Sequence, residues 1–136
     1  MKIAFYKAEG TLFDKAIRFF TKSRYSHCEL VINNICYSSS FRDNGVRAKA
    51  IYLNQDNWDV FDLHGYNEEK ALAVFNNCNN QPYDLIGVLR FLFGFLPNRE
   101  LHWHCSEICA YALGIDKSEN YTPQDLFEYL INKLDN

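Results

Sequence analysis

The 136 residues make up about one domain's length, and at 48 % apolar, 16 % aromatic and 23 % charged they can fill a core and are too apolar for a disordered chain. A formal net charge of −3 offers no overall positive field for a phosphate backbone, so nucleic acid is not an expected partner.

Lys2 to Lys7 reads as a short strand, and the charge followed by Glu9-Gly10 comes too soon for a signal-peptide core, so a cytoplasmic location is expected. Thr11, with Asp14 three residues on, opens a helix like a capping box, and Leu12, Ala16, Phe19 and Phe20 are its expected inward face. From His27 the period changes to that of strands: His27 to Ile32, Ile35 to Ser39 across the Asn33-Asn34 turn, Val46 to Leu53, and Trp58 to Leu63. These four predict an antiparallel meander. Asn67 then caps a helix with Ala71, Leu72 and Phe75 facing inward, and a second helix is expected from Asp84 to Gly94. The run Leu85 to Leu96 is broken by Arg90 and falls short of the roughly 18 apolar residues of a bilayer span. No transmembrane segment is expected, although the aromatic stretch Leu89 to Pro97 suits either core packing or peripheral contact with a membrane or acyl chain. Pro97 and Asn98 mark a loop, Ser106 to Leu113 a helix ended by Gly114, and Thr122-Pro123 the start of a last helix reaching about Lys133. The expectation is a single α+β domain over residues 1–136, with a central antiparallel sheet packed against helices.

Cys28, Cys36, Cys78, Cys105 and Cys109 form an odd set without paired spacing, which suits reduced thiols better than a disulfide framework. Cys105 stands where a loop becomes a helix, and there free backbone N–H groups and the helix dipole stabilise a thiolate and could receive a developing oxyanion. His27 is the natural base candidate, and Glu29, two residues along the same strand, shares its face and can fix the ring's tautomer. Taken singly, each has an ordinary structural reading: a buried thiol, a hydrogen-bonded ring, a solvated carboxylate.

Taken in order, these pieces resemble a known family. Tyr25-Ser26-His27-Cys28-Glu29-Leu30, Gly45-Val46, Pro82-Tyr83-Asp84-Leu85-Ile86-Gly87, His104-Cys105-Ser106-Glu107-Ile108 and Thr122-Pro123-Gln124-Asp125-Leu126 together look like the circularly permuted papain-fold cysteine hydrolases. The similarity is to the YiiX-like branch of the NlpC superfamily, and more distantly to lecithin retinol acyltransferase, and it runs from about Thr11 to Leu126. In that group the histidine strand precedes the cysteine helix, as it does here. The resemblance implies a permuted papain-like fold, Cys105 as nucleophile at a helix N-terminus, His27 as general base and a polar orienting residue, acting on an amide or ester acyl group. Glu29 matches the His-x-Glu pattern, while other branches place the orienter on the next strand, where Tyr37 and Ser39 are the alternatives. Arg24 and Tyr25 beside the histidine, and Trp103, His104 and Ser106 around the cysteine, are the residues expected to line the substrate cleft. Tyr83 and Asp84 match the family's Tyr-Asp motif and are read as packing and capping the helix before the nucleophile.

A metal reading of His102, His104, Cys105 and Cys109 is poorly specific and is not the preferred one, because adjacent His104 and Cys105 reach one tetrahedral ion with difficulty and no second pair has finger-like spacing. No cofactor or metal is expected. Lys15, Arg18, Lys22 and Arg24 make a small basic patch, read as a solvated face. The function expected is a cysteine hydrolase, with a non-catalytic peptide- or lipid-binding module on the same fold as the alternative. Peptidoglycan stem peptide, protein amide and lipid ester all remain open as substrates, and the oligomeric state is open as well.

Overall fold

Three consecutive apolar residues, Ile3, Ala4 and Phe5, are all buried in the first strand, β1 (Lys2–Tyr6), because this strand lies inside a sheet with neighbours on both sides. The computed structural model describes residues 1–97 and 100–134. Among them the chain is α+β, with a five-stranded antiparallel sheet, five α-helices and a short 3-10 turn at Ser118–Asn120. No helix among the described residues is long and apolar enough to cross a membrane.

Strands β2 (His27–Ile32), β3 (Ile35–Ser40) and β4 (Gly45–Lys49) form the expected meander. The β2–β3 turn places Asn33 and Asn34 at φ 51° and 64°, the left-handed pair that a two-residue hairpin requires. The fourth strand departs from expectation. The chain leaves the sheet after Lys49 rather than Leu53, and β5 (Trp58–Asp62) crosses to pair with β1 at the opposite side. The strand order is therefore β4-β3-β2-β1-β5. The crossing gives β1 a partner along its second edge, which would otherwise expose unpaired backbone groups.

One sheet face is covered by α2 (Glu68–Cys78), α4 (Cys105–Ala112) and α5 (Pro123–Leu134), with Ile3, Phe5, Leu30 and Val46 packed against Phe75, Ile108, Leu126 and Leu130 in one buried cluster. The helix caps follow the sequence reading. Asn67 Oδ1 accepts from Lys70 N–H at 2.9 Å, Asp84 Oδ1 from Gly87 N–H at 2.9 Å at the start of α3 (Leu85–Phe93), and Thr122 Oγ1 from Asp125 N–H at 3.1 Å. Gly94, at φ 65°, ends α3, whereas Asn98 lies outside the described residues.

Helix α1 (Leu12–Thr21) carries the expected Thr11–Asp14 capping box but is rotated from the expected orientation. Leu12, Ala16, Phe19 and Phe20 face solvent, and the buried residue of the helix is Asp14. The cause is polar. Asp14 accepts hydrogen bonds from Thr11 Oγ1 at 2.6 Å, Arg42 at 3.1 Å and Ser26 Oγ at 3.3 Å, and these anchors turn the carboxylate toward the body of the protein.

Candidate active site

The cysteine stands at the first residue of α4, where backbone N–H groups lack intrahelical partners. The helix start is built by a reciprocal cap: Glu107 N–H donates to His104 Nδ1 at 3.3 Å, and His104 N–H donates to Glu107 Oε2 at 3.4 Å. The strand-like approach is pinned by Asp84 N–H to Trp103 O and Trp103 N–H to Pro82 O, both 3.0 Å, and by Ser39 Oγ donating to Trp103 O at 2.6 Å. Ser106 Oγ donates to Tyr121 O at 2.6 Å, tying the first turn to the segment before α5. Cys105 therefore sits on a braced turn, with its side chain 4 % exposed.

The base candidate reaches it from the sheet. On the open face of β2, His27 Nε2 lies 2.7 Å from Glu29 Oε1, and the ring is near enough to Cys105 for each to act on the other's charge. Tyr6, His27 and Trp58 stand level across three strands, and the Trp58 ring meets the imidazole edge-on at 6.4 Å.

Glu29 has no exposed surface and would not stay charged alone. Arg47 on β4 grips it with two bonds, Nη1 to Oε2 at 2.7 Å and Nη2 to Oε1 at 2.5 Å. The register pairing Leu30 with Tyr37 and Ser38 with Arg47 places Glu29, Ser38 and Arg47 in one row. Ser38 in the middle is small enough for the guanidinium to lie across it. Asp43 holds Arg47 Nε at 2.8 Å and Lys49 Nζ at 2.9 Å, extending the charge chain to the sheet edge.

These contacts set the protonation states. Burial disfavours a charge on His27, but the Cys105 thiolate and the Glu29 carboxylate outweigh it and push the ring up to about 10. The nearby Cys28 thiol, with His27 adding to it, holds the Cys105 thiol well below its ordinary value against burial. Burial acts to raise Glu29, yet Arg47 and His27 hold it below the usual range. Both shifts favour a thiolate facing an imidazolium.

A cavity of 430 Å³ opens on this face, lined by His27, Phe13, Phe41, Trp58 and Tyr83 among others. Cys105 is not on its wall, but its neighbours His27 and Tyr83 are, and burial followed by the thiolate's charge pushes the Tyr83 phenol up. None of the residues expected to line the cleft is on this cavity's wall. Tyr25 is buried against Phe5 and Phe127 with its hydroxyl donating to Asp59 at 2.7 Å, and exposed Arg24 pairs with that same Asp59 at 3.1 Å. Trp103 packs against Tyr111 with its ring tilted and donates to Gln81, while His104 and Ser106 are buried supports of the α4 turn. Their nearness in sequence to the pair put them in the shell behind it, because a strand and a helix start send neighbouring side chains to opposite sides. The alternatives to Glu29 are also placed away from the imidazole's polar contact: Ser39 donates to Trp103 O, and Tyr37 packs on Phe75.

Arg47 and Cys28 entered no sequence-level argument about the site. The register of the hairpin carries the signal for Arg47, through its row with Glu29. Cys28 had only its adjacency to His27. Among the described residues no group of three or more His, Cys, Asp and Glu side chains is arranged to hold a metal ion. Compared with known proteins, the chain matches no family model, and no curated protein is significantly similar to it.

Proposed function

We propose that the protein is a cysteine hydrolase of the permuted papain-like type, acting on an amide or ester through an acyl-enzyme. The observation that carries this is the line of contacts from Cys105 through His27 to Glu29, with the thiol at a helix start and the carboxylate clamped by Arg47. It supports the order of roles suggested by the histidine-strand, cysteine-helix resemblance.

In this reading the Cys105 thiolate attacks a carbonyl carbon, and free N–H groups of the first α4 turn receive the developing oxyanion. The His27 imidazolium gives its proton to the leaving amine or alkoxide. The neutral ring then takes a proton from water, whose oxygen attacks the thioester and releases the acid and Cys105. Glu29 stabilises the imidazolium and holds its plane; Arg47 keeps that carboxylate ionised. The acyl or side-chain portion of the substrate lies in the aromatic cavity.

One observation favours a second reading, a non-catalytic binding module: Cys105 is nearly buried and lies off the cavity wall. The rate of iodoacetamide alkylation at each cysteine against pH, followed by peptide mass spectrometry, separates the two. The hydrolase reading expects Cys105 to react well below pH 8, ahead of the buried Cys36 and Cys78, and His27→Ala to shift its profile up. Equal, slow reaction of all cysteines in both proteins, or hydrolysis undiminished in Cys105→Ala, overturns it.

A further inference from the structure

The rotation of α1 leaves an unusual surface. Leu12, Ala16, Phe19 and Phe20 recur at helical spacing and form one apolar stripe, with Leu12, Phe19 and Phe20 84 %, 78 % and 55 % exposed. An amphipathic helix on a sheet protein normally turns such a stripe inward; here Asp14 and its three hydrogen-bonding partners hold the opposite side down. The exposure is therefore built in by buried polar contacts. Beside α1 packs α3, which ends at exposed Phe93, with exposed Phe95 just beyond its Gly94 cap.

The charges around the stripe indicate its occupant. Between Glu9 and Ser26 stand four basic residues, Lys15, Arg18, Lys22 and Arg24, against two acidic ones, Glu9 and Asp14, in a chain whose net charge is −3; the exposed Glu9 pairs with Lys15 at 3.1 Å, a surface contact of the weak kind that a headgroup can replace. Asp14 is buried and already paired with Arg42, so it presents little charge outward. Lys15 lies one turn from Leu12 and Phe19, and exposed Lys22 caps the helix at its carboxyl end. An apolar helical stripe edged by lysines, on an otherwise acidic molecule, matches the interface of a bilayer with anionic headgroups.

We propose that the outer face of α1 is a lipid-docking surface, with Leu12, Phe19 and Phe20 entering the headgroup–acyl boundary and Lys15 and Lys22 meeting anionic headgroups. The acid excess elsewhere turns the rest of the molecule away from such a membrane, so one orientation is selected. That orientation has a consequence for the cavity: α1 also supplies Phe13 and Ile17 to its wall, so docking brings the opening beside the lipid. The proposal stands on the α1 surface and does not require the hydrolase reading.

Flotation of the full chain with vesicles tests it, using phosphatidylcholine alone and phosphatidylcholine with about one-third phosphatidylglycerol. Wild type is expected to float with the anionic vesicles and much less with the neutral ones, and Cys105→Ala to float like wild type. Phe19→Ser and Phe20→Ser, both at solvent-facing positions, should each lower partition by roughly tenfold; Lys15→Glu with Lys22→Glu should abolish the preference for anionic vesicles. Circular dichroism confirms that each variant is folded. Wild type that floats with neither vesicle, serine variants that float as well as wild type, or equal partition onto both vesicle types overturns the proposal. So does a dimer in light scattering that Phe19→Ser converts to monomer, which would assign the face to a second copy of the chain.

Discussion

The Cys105 sulfur has two neighbours that favour its charge, and their contributions are distinct. The Cys28 thiol, placed to act as a donor, has the largest effect, and His27 supplies a countercharge. Burial pushes the Cys28 thiol well above its ordinary value, which favours Cys28 as the donor of the two. Cys28→Ala should therefore raise the Cys105 pKa. At any pH near neutrality less thiolate is present, and the midpoint of the alkylation profile moves upward, by about one unit or more for a lost hydrogen bond to a charged group. Cys28→Ser retains an O–H donor in nearly the same volume and should keep most of the depression. An unchanged midpoint in Cys28→Ala would assign the low pKa to His27 alone. Glu29 works at the same scale from the other end: fully buried, it orients the imidazole only as an anion, and Arg47 is what keeps it one.

The α4 helix start joins Cys105 to a cap whose own acid is at odds with its setting. Glu107 is pushed up to about 7, chiefly by burial, with Asp84 adding to the rise and the His104 backbone hydrogen bond opposing it. With a folded pKa above the unfolded value of about 4.5, the folded chain binds the proton more tightly than the unfolded one. Stability then falls as pH rises from about 4.5 to 7 and stays lowered above that. Glu107→Gln keeps an oxygen acceptor for the His104 N–H and removes the titration. Urea unfolding should find the variant more stable than wild type at pH 8, by about 1–3 kcal/mol, with the gap closing near pH 4; a gap independent of pH would refute this account. Element starts of this kind were legible in sequence, since Thr11, Asn67, Asp84 and Thr122 are local signals whose partners lie three residues away. The rotation of α1 was not. Its determinants, Ser26 and Arg42, stand 12 and 28 residues from Asp14, and the helical pattern taken alone favours the opposite face.

Among the described residues the sheet separates two tasks, with α2, α4, α5 and the core on one face and the charged row and aromatic cavity, walled in part by α1, on the other. His27 and Glu29 were placed on one face by strand alternation, whereas the Arg47 clamp and the flank supplied by Trp58 depend on which strands pair. β5 joins β1 and brings Trp58 level with Tyr6 and His27, a long-range pairing that periodicity does not encode. The missing lining residues have the same origin: the cavity draws on α1, β2, the β3–β4 turn, the segment after β4 and Tyr83, parts far apart in the chain. At 430 Å³, with Phe13, Ile17, Phe41, Ile51 and Trp58 in its wall, the cavity suits an apolar group better than a short polar one. If the acyl portion of the substrate lies there, Ile51→Trp, on the irregular segment after β4, takes away room without touching Cys105, His27 or Glu29. Hydrolysis of p-nitrophenyl octanoate should lose at least about tenfold in kcat/KM, while p-nitrophenyl acetate, which needs little of the cavity, should change less than about twofold. Equal loss on both esters would mean that the substitution disturbs the pair itself. Unchanged hydrolysis of both would place the acyl chain outside the cavity, on a path to Cys105 that does not pass Ile51.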